Sequence, residues 1–235
     1  MNREKLEENV YYYKNVIENP KEFIDLINST EDYDDNDPIV KVVPKWDEWS
    51  ACSGLMYVYG NKKNLALDSL EELKNASPDQ YEKAKTIIET ILNGLQSVCK
   101  DYAKEKGIED DVLLQTSIGI NRYSAGTTMG GHYDQQEGDT RLKYSLVMYL
   151  NDDYEGGEIS FTIKDGIMDS IDKPHQDLEL SKDTDRVTFY LKPEAGSVLI
   201  FPSSSPYNHT AHLVKSGHKY MVPGFWMNKD NHGNV

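Results

Sequence analysis

Disulfide staples, a basic surface and a membrane-length apolar run are all missing from this chain. Only two cysteines, Cys52 and Cys99, occur in 235 residues. They are too far apart for a Cys-x-x-Cys unit, which excludes zinc-ribbon and thioredoxin-like chemistry on count alone. A chain of this length buries a core without cross-links. Bare thiols suit a reducing compartment, so the expected location is cytoplasmic. No uninterrupted apolar stretch approaches the roughly 18 residues a membrane helix needs, and the charged start Met-Asn-Arg-Glu-Lys leads into no signal-peptide core. Positive charge is in deficit: 25 Lys and Arg against 40 Asp and Glu give a formal net charge of -15 and a pI near 4.8. Nucleic-acid binders draw most of their affinity from clustered cations, so nucleic acid is disfavoured as a partner and a peptide or protein fits better. Internal repeats and low-complexity tracts are absent too.

The residues present change texture along the chain. Val10 to Ile17, with Tyr11-Tyr12-Tyr13, reads as a strand, and Pro20 opens a short amphipathic helix through Phe23, Ile24 and Ile27. The acidic run Glu31 to Asp37, closed by Pro38, reads as a solvated loop. Ser77-Pro78-Asp79-Gln80 places a capping hydroxyl, an N1 proline and a reciprocal N3 amide at the start of a helix over 77–106. Tyr81, Ala84, Ile88, Ile91, Leu95, Val98 and Tyr102 then recur at three- and four-residue steps, and Gly107 supplies a stop. Such a stripe packs along the outside of a sheet.

From Leu113 onward short β-rich segments follow: Ser117 to Tyr123, Lys143 to Leu150, Glu158 to Ile163, Val187 to Lys192, Ser197 to Phe201, Tyr207 to Val214 and Lys219 to Met227. Turn signals such as Gly156-Gly157 and Pro193-Glu194-Ala195-Gly196 separate them. Many short strands without intervening helices predict an α+β, mainly β fold, a jelly roll or double-stranded β-helix with supporting N-terminal helices. The polar stretch Lys164 to Arg186 is long for an internal loop and reads as a candidate lid.

Within the β-rich part, His132 and Asp134 stand two residues apart in Gly-Gly-His-Tyr-Asp, His209 follows in Asn-His-Thr-Ala-His, and Lys219 lies ten positions further on. Residues at i and i+2 of a strand share a face and can grip one ion. Two imidazoles and one carboxylate with open positions make the facial triad of non-haem Fe(II) sites. Lys219 adds a fixed cation for an acidic ligand. His212 offers a second candidate for the third ligand.

The segment from about residue 117 to 227 resembles the prolyl 4-hydroxylase group of 2-oxoglutarate and Fe(II)-dependent dioxygenases. The resemblance is carried in order by Tyr123, His132-Tyr133-Asp134, Tyr149-Leu150-Asn151, Gly156-Gly157-Glu158, Pro193-Glu194-Ala195-Gly196, Phe201, His209, Val214, Gly217 and Lys219. It implies one integrated domain, with residues 1–110 as strand and helical support and 111–230 as the catalytic core. It implies that His132, Asp134 and His209 hold iron, that Lys219 pairs with the far carboxylate of 2-oxoglutarate, and that Tyr123 and Tyr149 surround this co-substrate. The family spacing of ten to the lysine favours His209 over His212. The implied cofactors are Fe(II), 2-oxoglutarate and O2, with ascorbate as a candidate accessory. The implied reaction is hydroxylation of prolyl residues in a peptide or protein; another side chain, a free amino acid, a small metabolite, or an inert binding module remain as alternatives. Trp226 is a tentative substrate contact with core packing as its rival, and Ile118, Ile120, Val147, Leu199 and Phe225 are candidates for a water-excluding surround. Met129 stands where relatives carry a second tyrosine, so one co-substrate hydrogen bond is missing or comes from Thr127 or Tyr149. Pro223-Gly224 predicts a bulge in the last strand.

Overall fold

A computed structural model of the chain describes residues 1–29, 34, 36, 45–52, 57–66, 70–108, 114, 117–135, 140–162 and 187–227. Most of the acidic run Glu31 to Asp37, and all of the candidate lid Lys164 to Arg186, lie outside the described residues. The elements follow one another as β1 (Asn2–Glu7), β2 (Val10–Lys14), α1 (Pro20–Asn28), β3 (Asp47–Cys52), β4 (Tyr57–Ala66), α2 (Leu70–Ala76), α3 (Pro78–Lys106), β5 (Ser117–Ser124), β6 (Met129–His132), β7 (Leu142–Tyr149), β8 (Glu155–Gly156), β9 (Ile159–Thr162), β10 (Phe189–Leu191), β11 (Ser197–Pro202), β12 (Asn208–Ala211), β13 (Val214–Ser216) and β14 (His218–Met227).

Twelve strands form one antiparallel ladder in the order β1-β2-β11-β7-β14-β5-β4-β6-β12-β9-β10, with β3 added on β4, while β8 and β13 pair by themselves. The ladder rolls over at β4, which pairs with β5 along Asn61 to Ala66 and touches β6 through Val58 opposite Met129. The result is the expected double-stranded β-helix, with helices on the outer face of its larger wall.

Strand parity divides the core. In β2, Tyr11 and Tyr13 point to the helical layer, where Tyr102 of α3 meets Tyr11 edge-on at 5.4 Å, while Tyr12 points inward between the walls. Val198 and Ile200 of β11 likewise face the helices, and Leu199 and Phe201 face the interior. Helix α3 lays Ile87, Ile88, Ile91, Leu95, Val98 and Tyr102 against that outer face. Each fully buried aliphatic side chain among them contributes about 1.5–3 kcal/mol of transfer free energy. The helix stops at Gly107, in the left-handed region at φ 67, where Ile108 N–H bonds back to Ala103 O at 2.9 Å. Its start differs from expectation: the Ser77 hydroxyl makes no capping bond, and only the Ser77 carbonyl engages, accepting the Tyr81 N–H at 3.0 Å.

Two further differences matter. The last strand keeps regular register through Pro223 and Gly224, opposite Val147 and Leu146, and its irregularity falls instead at Trp226/Met227. The proline is tolerated because pairing of β14 with β5 has already ended at Met221 opposite Asn121, leaving that stretch with β7 as its ladder neighbour. Strands β1, β3, β4, β6 and β8 escape the sequence reading. β1 alternates charges with one apolar residue, Leu6, and β6 is Met-Gly-Gly-His, so neither shows the period-two apolar pattern by which strands are recognised.

Candidate metal centre

Antiparallel pairing of β6 with β12 sets His132 directly opposite His209, and the two rings lie 4.2 Å apart at their centroids. His209 is held from the sides by Phe161, stacked at 5.5 Å, and Phe201, edge-on at 4.7 Å. Asp134 does not share a strand face with His132, as the two-residue spacing suggests, because β6 ends at His132 and Asp134 sits in the bend that follows. That bend is tied to the end of β11 by Gln135 N–H donating to Ser203 O at 2.9 Å. It brings the carboxylate over the imidazoles: Oδ1 is 3.4 Å from His132 Nε2 and Oδ2 is 3.8 Å from His209 Nε2.

One ligand atom from each of the three residues falls within 4.8 Å of the others. Ligand atoms about 2.1 Å from one ion and at right angles lie about 3 Å apart, so a small contraction closes this set on a metal. The tautomers suit it too. His132 Nδ1 lies 2.8 Å from Gly130 O and His209 Nδ1 lies 3.3 Å from Tyr207 O. A carbonyl only accepts, so each Nδ1 carries the proton and each Nε2 presents its lone pair to the centre. Burial, followed by the charge of His132, pushes the His209 pKa down to about 4 against the field of Asp134. Burial alone would raise the Asp134 carboxyl, but His209, the hydrogen bond and charge of His132, and a hydrogen bond from Ser145 outweigh it and hold the carboxyl well below its usual range. With each Nε2 aimed at the centre and an ionised carboxylate beside them, the donor set fits a divalent ion.

The triad lines one wall of a cavity of about 340 Å³. Lys219 lines it too, fully buried on β14 opposite Tyr123 of β5. Its ammonium donates to Gly157 O at 2.7 Å, and no carboxylate of the described residues forms an ion pair with it. Burial, then the charge of Lys192, lower its pKa to about 7, against the opposing field of Glu158. The rings of Tyr149 and Tyr123 lie 5.3 and 5.9 Å from its Nζ.

Parity decides the remaining candidates. On β14, Lys219, Met221, Pro223 and Phe225 line the cavity, whereas Tyr220, Val222 and Trp226 belong to the helix-facing core. Trp226 is therefore not a cavity residue: it stands seven positions after Lys219, an odd offset, and its fully buried ring packs against Tyr144 and Tyr102. Trp226→Ala should lower the unfolding free energy by about 3–5 kcal/mol in a urea titration and leave 2-oxoglutarate affinity of the folded protein unchanged. Altered affinity at unaltered stability would return Trp226 to the site. Of the expected apolar surround, Val147 and Phe225 line the cavity, while Ile118 and Ile120 face the helices and Leu199 joins the inner cluster away from it. On either side of Ile120 in β5, Gly119 and Asn121 face the cavity.

Asn121 was missed by the sequence reading. It is buried, and its carboxamide donates to the thioether of Met221, at 3.5 Å; the two-residue step back from Tyr123 was the available signal. Met129 lies under Tyr123, whose hydroxyl meets its sulfur at 3.7 Å. His212 is turned out of the centre and shares a hydrogen bond with Ser160 Oγ at 2.7 Å.

Residues 118–227 match the family described as the 2OG-Fe(II) oxygenase superfamily. No curated protein matches the sequence. Solved structures of the same fold include a prolyl hydroxylase from Trichoplax adhaerens in complex with a hypoxia inducible factor oxygen degradation domain peptide fragment, 11% identical at a TM-score of 0.56 over 94% of this chain and 84% of that one. A prolyl-4-hydroxylase from Pseudomonas putida is 14% identical at a TM-score of 0.50 over 94% and 93%. A viral collagen prolyl hydroxylase from Paramecium Bursaria Chlorella virus-1, in its 2OG complex, is 14% identical at a TM-score of 0.50 over 94% and 96%. At such identities the likeness speaks for the fold. Among the described residues, no helix is long and apolar enough to cross a membrane.

Proposed function

We propose that this chain, whose residues 118–227 match the 2OG-Fe(II) oxygenase superfamily, is an oxygenase that hydroxylates prolyl residues in a peptide or protein. The observation that carries the site assignment is the pairing, across one cavity, of the His132, Asp134 and His209 donors with the buried Lys219 ammonium. Leaving a buried cation without a counter-charge is costly, so the cavity is preorganised for an anion that spans from the ammonium to the metal. In this reading, Fe(II) and 2-oxoglutarate supply the oxidation with O2, yielding succinate, CO2 and a hydroxylated carbon.

The protein's own residues bind, orient and exclude. His132, Asp134 and His209 would hold the metal at the wall of the cavity. Lys219 takes the far carboxylate, replacing water with a charge-assisted hydrogen bond. Tyr123 and Tyr149 stay neutral, since burial raises both phenols, and so offer O–H donors without adding negative charge. Met221, Pro223 and Phe225 wall the cavity with apolar surface, which suits a pyrrolidine ring and keeps bulk water from the reacting carbon. The volume lies at the small end of the roughly 300–1,000 Å³ usual for ligand sites. It suits a small diacid and one inserted side chain.

Prolyl specificity is supported by the fold shared with the three prolyl hydroxylases over most of this chain. The test incubates the protein with Fe(II), 2-oxoglutarate, O2 and a library of proline-containing peptides, reading succinate and the gain of one oxygen atom by mass spectrometry. Hydroxyproline in a product peptide is expected. Oxygen found on another side chain, or turnover with a small metabolite and none with peptides, would overturn the prolyl assignment while leaving the oxygenase chemistry in place.

A further inference from the structure

Lys192 has no part in the chemistry just described; it is an exposed residue whose ammonium reaches back onto the turn that meets Lys219. It follows β10 in the chain, and its Nζ donates to two carbonyls of another segment, Tyr154 O at 2.9 Å and Gly156 O at 2.6 Å. The same ammonium lies 3.5 Å from the centroid of the Tyr154 ring. The face-on cation thus grips a side chain and two peptide units of one turn.

That turn is the one on which Lys219 depends. Gly156 and Gly157 adopt φ 71 and 66, a left-handed pair that aims Gly157 O at the Lys219 ammonium, 2.7 Å away. A Cβ at Gly156 would collide with the backbone oxygen of Leu213, and one at Gly157 would stand 2.8 Å from the Tyr154 ring and force that ring to shift. On its far side the turn is tied down by Gly157 N–H donating to Leu213 O and by the short β8–β13 pair. On its near side Lys192 is the tie that links it to the strand end beyond β10. Tyr154 lies between the two ammonium groups, 6.0 Å from that of Lys219, and its own buried hydroxyl has no hydrogen-bond partner among the described residues.

We propose that Lys192 is a positioning residue for 2-oxoglutarate: by clamping the Tyr154–Gly157 turn it fixes the carbonyl that orients Lys219 toward the far carboxylate. The proposal rests on the assignment of Lys219 as the co-substrate cation. Its effect is confined to that end of the cavity, because the turn holds none of the three metal donors.

The test compares wild type with Lys192→Met, Lys192→Arg and Lys219→Ala, each loaded anaerobically with Fe(II). Calorimetry is run below the Lys219 value of about 7, where that ammonium is charged. Two acids are titrated: 2-oxoglutarate, and 2-oxopentanoate, which keeps the keto-acid head and lacks the far carboxylate. Lys192→Met should weaken 2-oxoglutarate about tenfold, the low end of what supporting partners of a ligand site contribute. It should leave 2-oxopentanoate, Fe(II) affinity and melting temperature unchanged, and Lys192→Arg should recover most of the loss. Unchanged 2-oxoglutarate binding in Lys192→Met, or equal weakening of both acids, would overturn the proposal while Lys219→Ala still showed its own loss. If Lys219→Ala binds 2-oxoglutarate as wild type does, the underlying assignment of Lys219 fails and the role of Lys192 goes with it.

Discussion

His209→Ala and Asp134→Asn are each expected to abolish 2-oxoglutarate turnover and to weaken metal binding by more than about a hundredfold, beyond the 10–100-fold that loss of an outer-shell partner costs. The asparagine variant is the sharper of the two because it keeps the size of the side chain and removes its charge. At the centre, Asp134 is the anion that would offset a metal, and it holds oxygen atoms 3.4 and 3.8 Å from the two imidazoles. Without the carboxylate the site keeps two neutral nitrogens, a donor set that many buried histidine pairs share. Metal affinity is read by calorimetric titration with Fe(II) under argon, and folding by the cooperativity of urea unfolding. Retained metal affinity in both variants would sink the triad. Collapse of folding in both would mark the cluster as a structural hydrogen-bond network.

Lys219→Ala should weaken 2-oxoglutarate by about 2–5 kcal/mol, the range for removing one partner of a buried charge pair, while Fe(II) binding holds. A pH profile adds a signature that packing damage would not produce. The free ammonium titrates near pH 7 because burial and Lys192 lower it, and only its protonated form pairs with the far carboxylate. Affinity of the wild-type protein should therefore be level below that value and fall roughly tenfold per unit above it, and Lys219→Ala should be flat across the same range. The neighbouring phenols of Tyr123, Tyr149 and Tyr154 are raised by burial and stay neutral there. A profile identical in the two proteins would remove Lys219 from co-substrate binding.

How much of this was legible beforehand follows from what each signal measures. The helix over 78–106 carries strong periodicity because it buries one face, and β5, β7, β9, β11 and β14 show as short apolar runs between turn signals, several of them buried on both faces. The structure places these elements where the sequence indicates, while β6 and β8 carry neither signal. The triad was legible as residue types in order, although the reason offered for His132 and Asp134, a shared strand face, is replaced by a bend anchored on Ser203. Trp226 was left open between substrate contact and core packing because motif spacing counts residues while a strand sorts them by parity, and seven steps from Lys219 cross to the core-facing side. Asn121 and Lys192 were passed over for a different reason, although the two-residue step from Tyr123 pointed to the first. Their importance lies in partners 100 and roughly 35 residues distant in sequence, Met221 and the Tyr154–Gly157 turn, which only the rolled sheet brings together.

The pairing of β2 with β11 joins Tyr11, Tyr12 and Tyr13 to Ile200, Leu199 and Val198. During synthesis at about 5–20 residues per second, the tyrosine strand waits roughly 10–40 s for its neighbour to be made. Through that interval a sticky, aromatic segment is exposed to other nascent chains. Glu7 and Glu8 before it and Lys14 after it stand as charged gatekeepers on either flank. The cost of a site assembled late in translation is thus met at the amino end, by residues that never approach the metal.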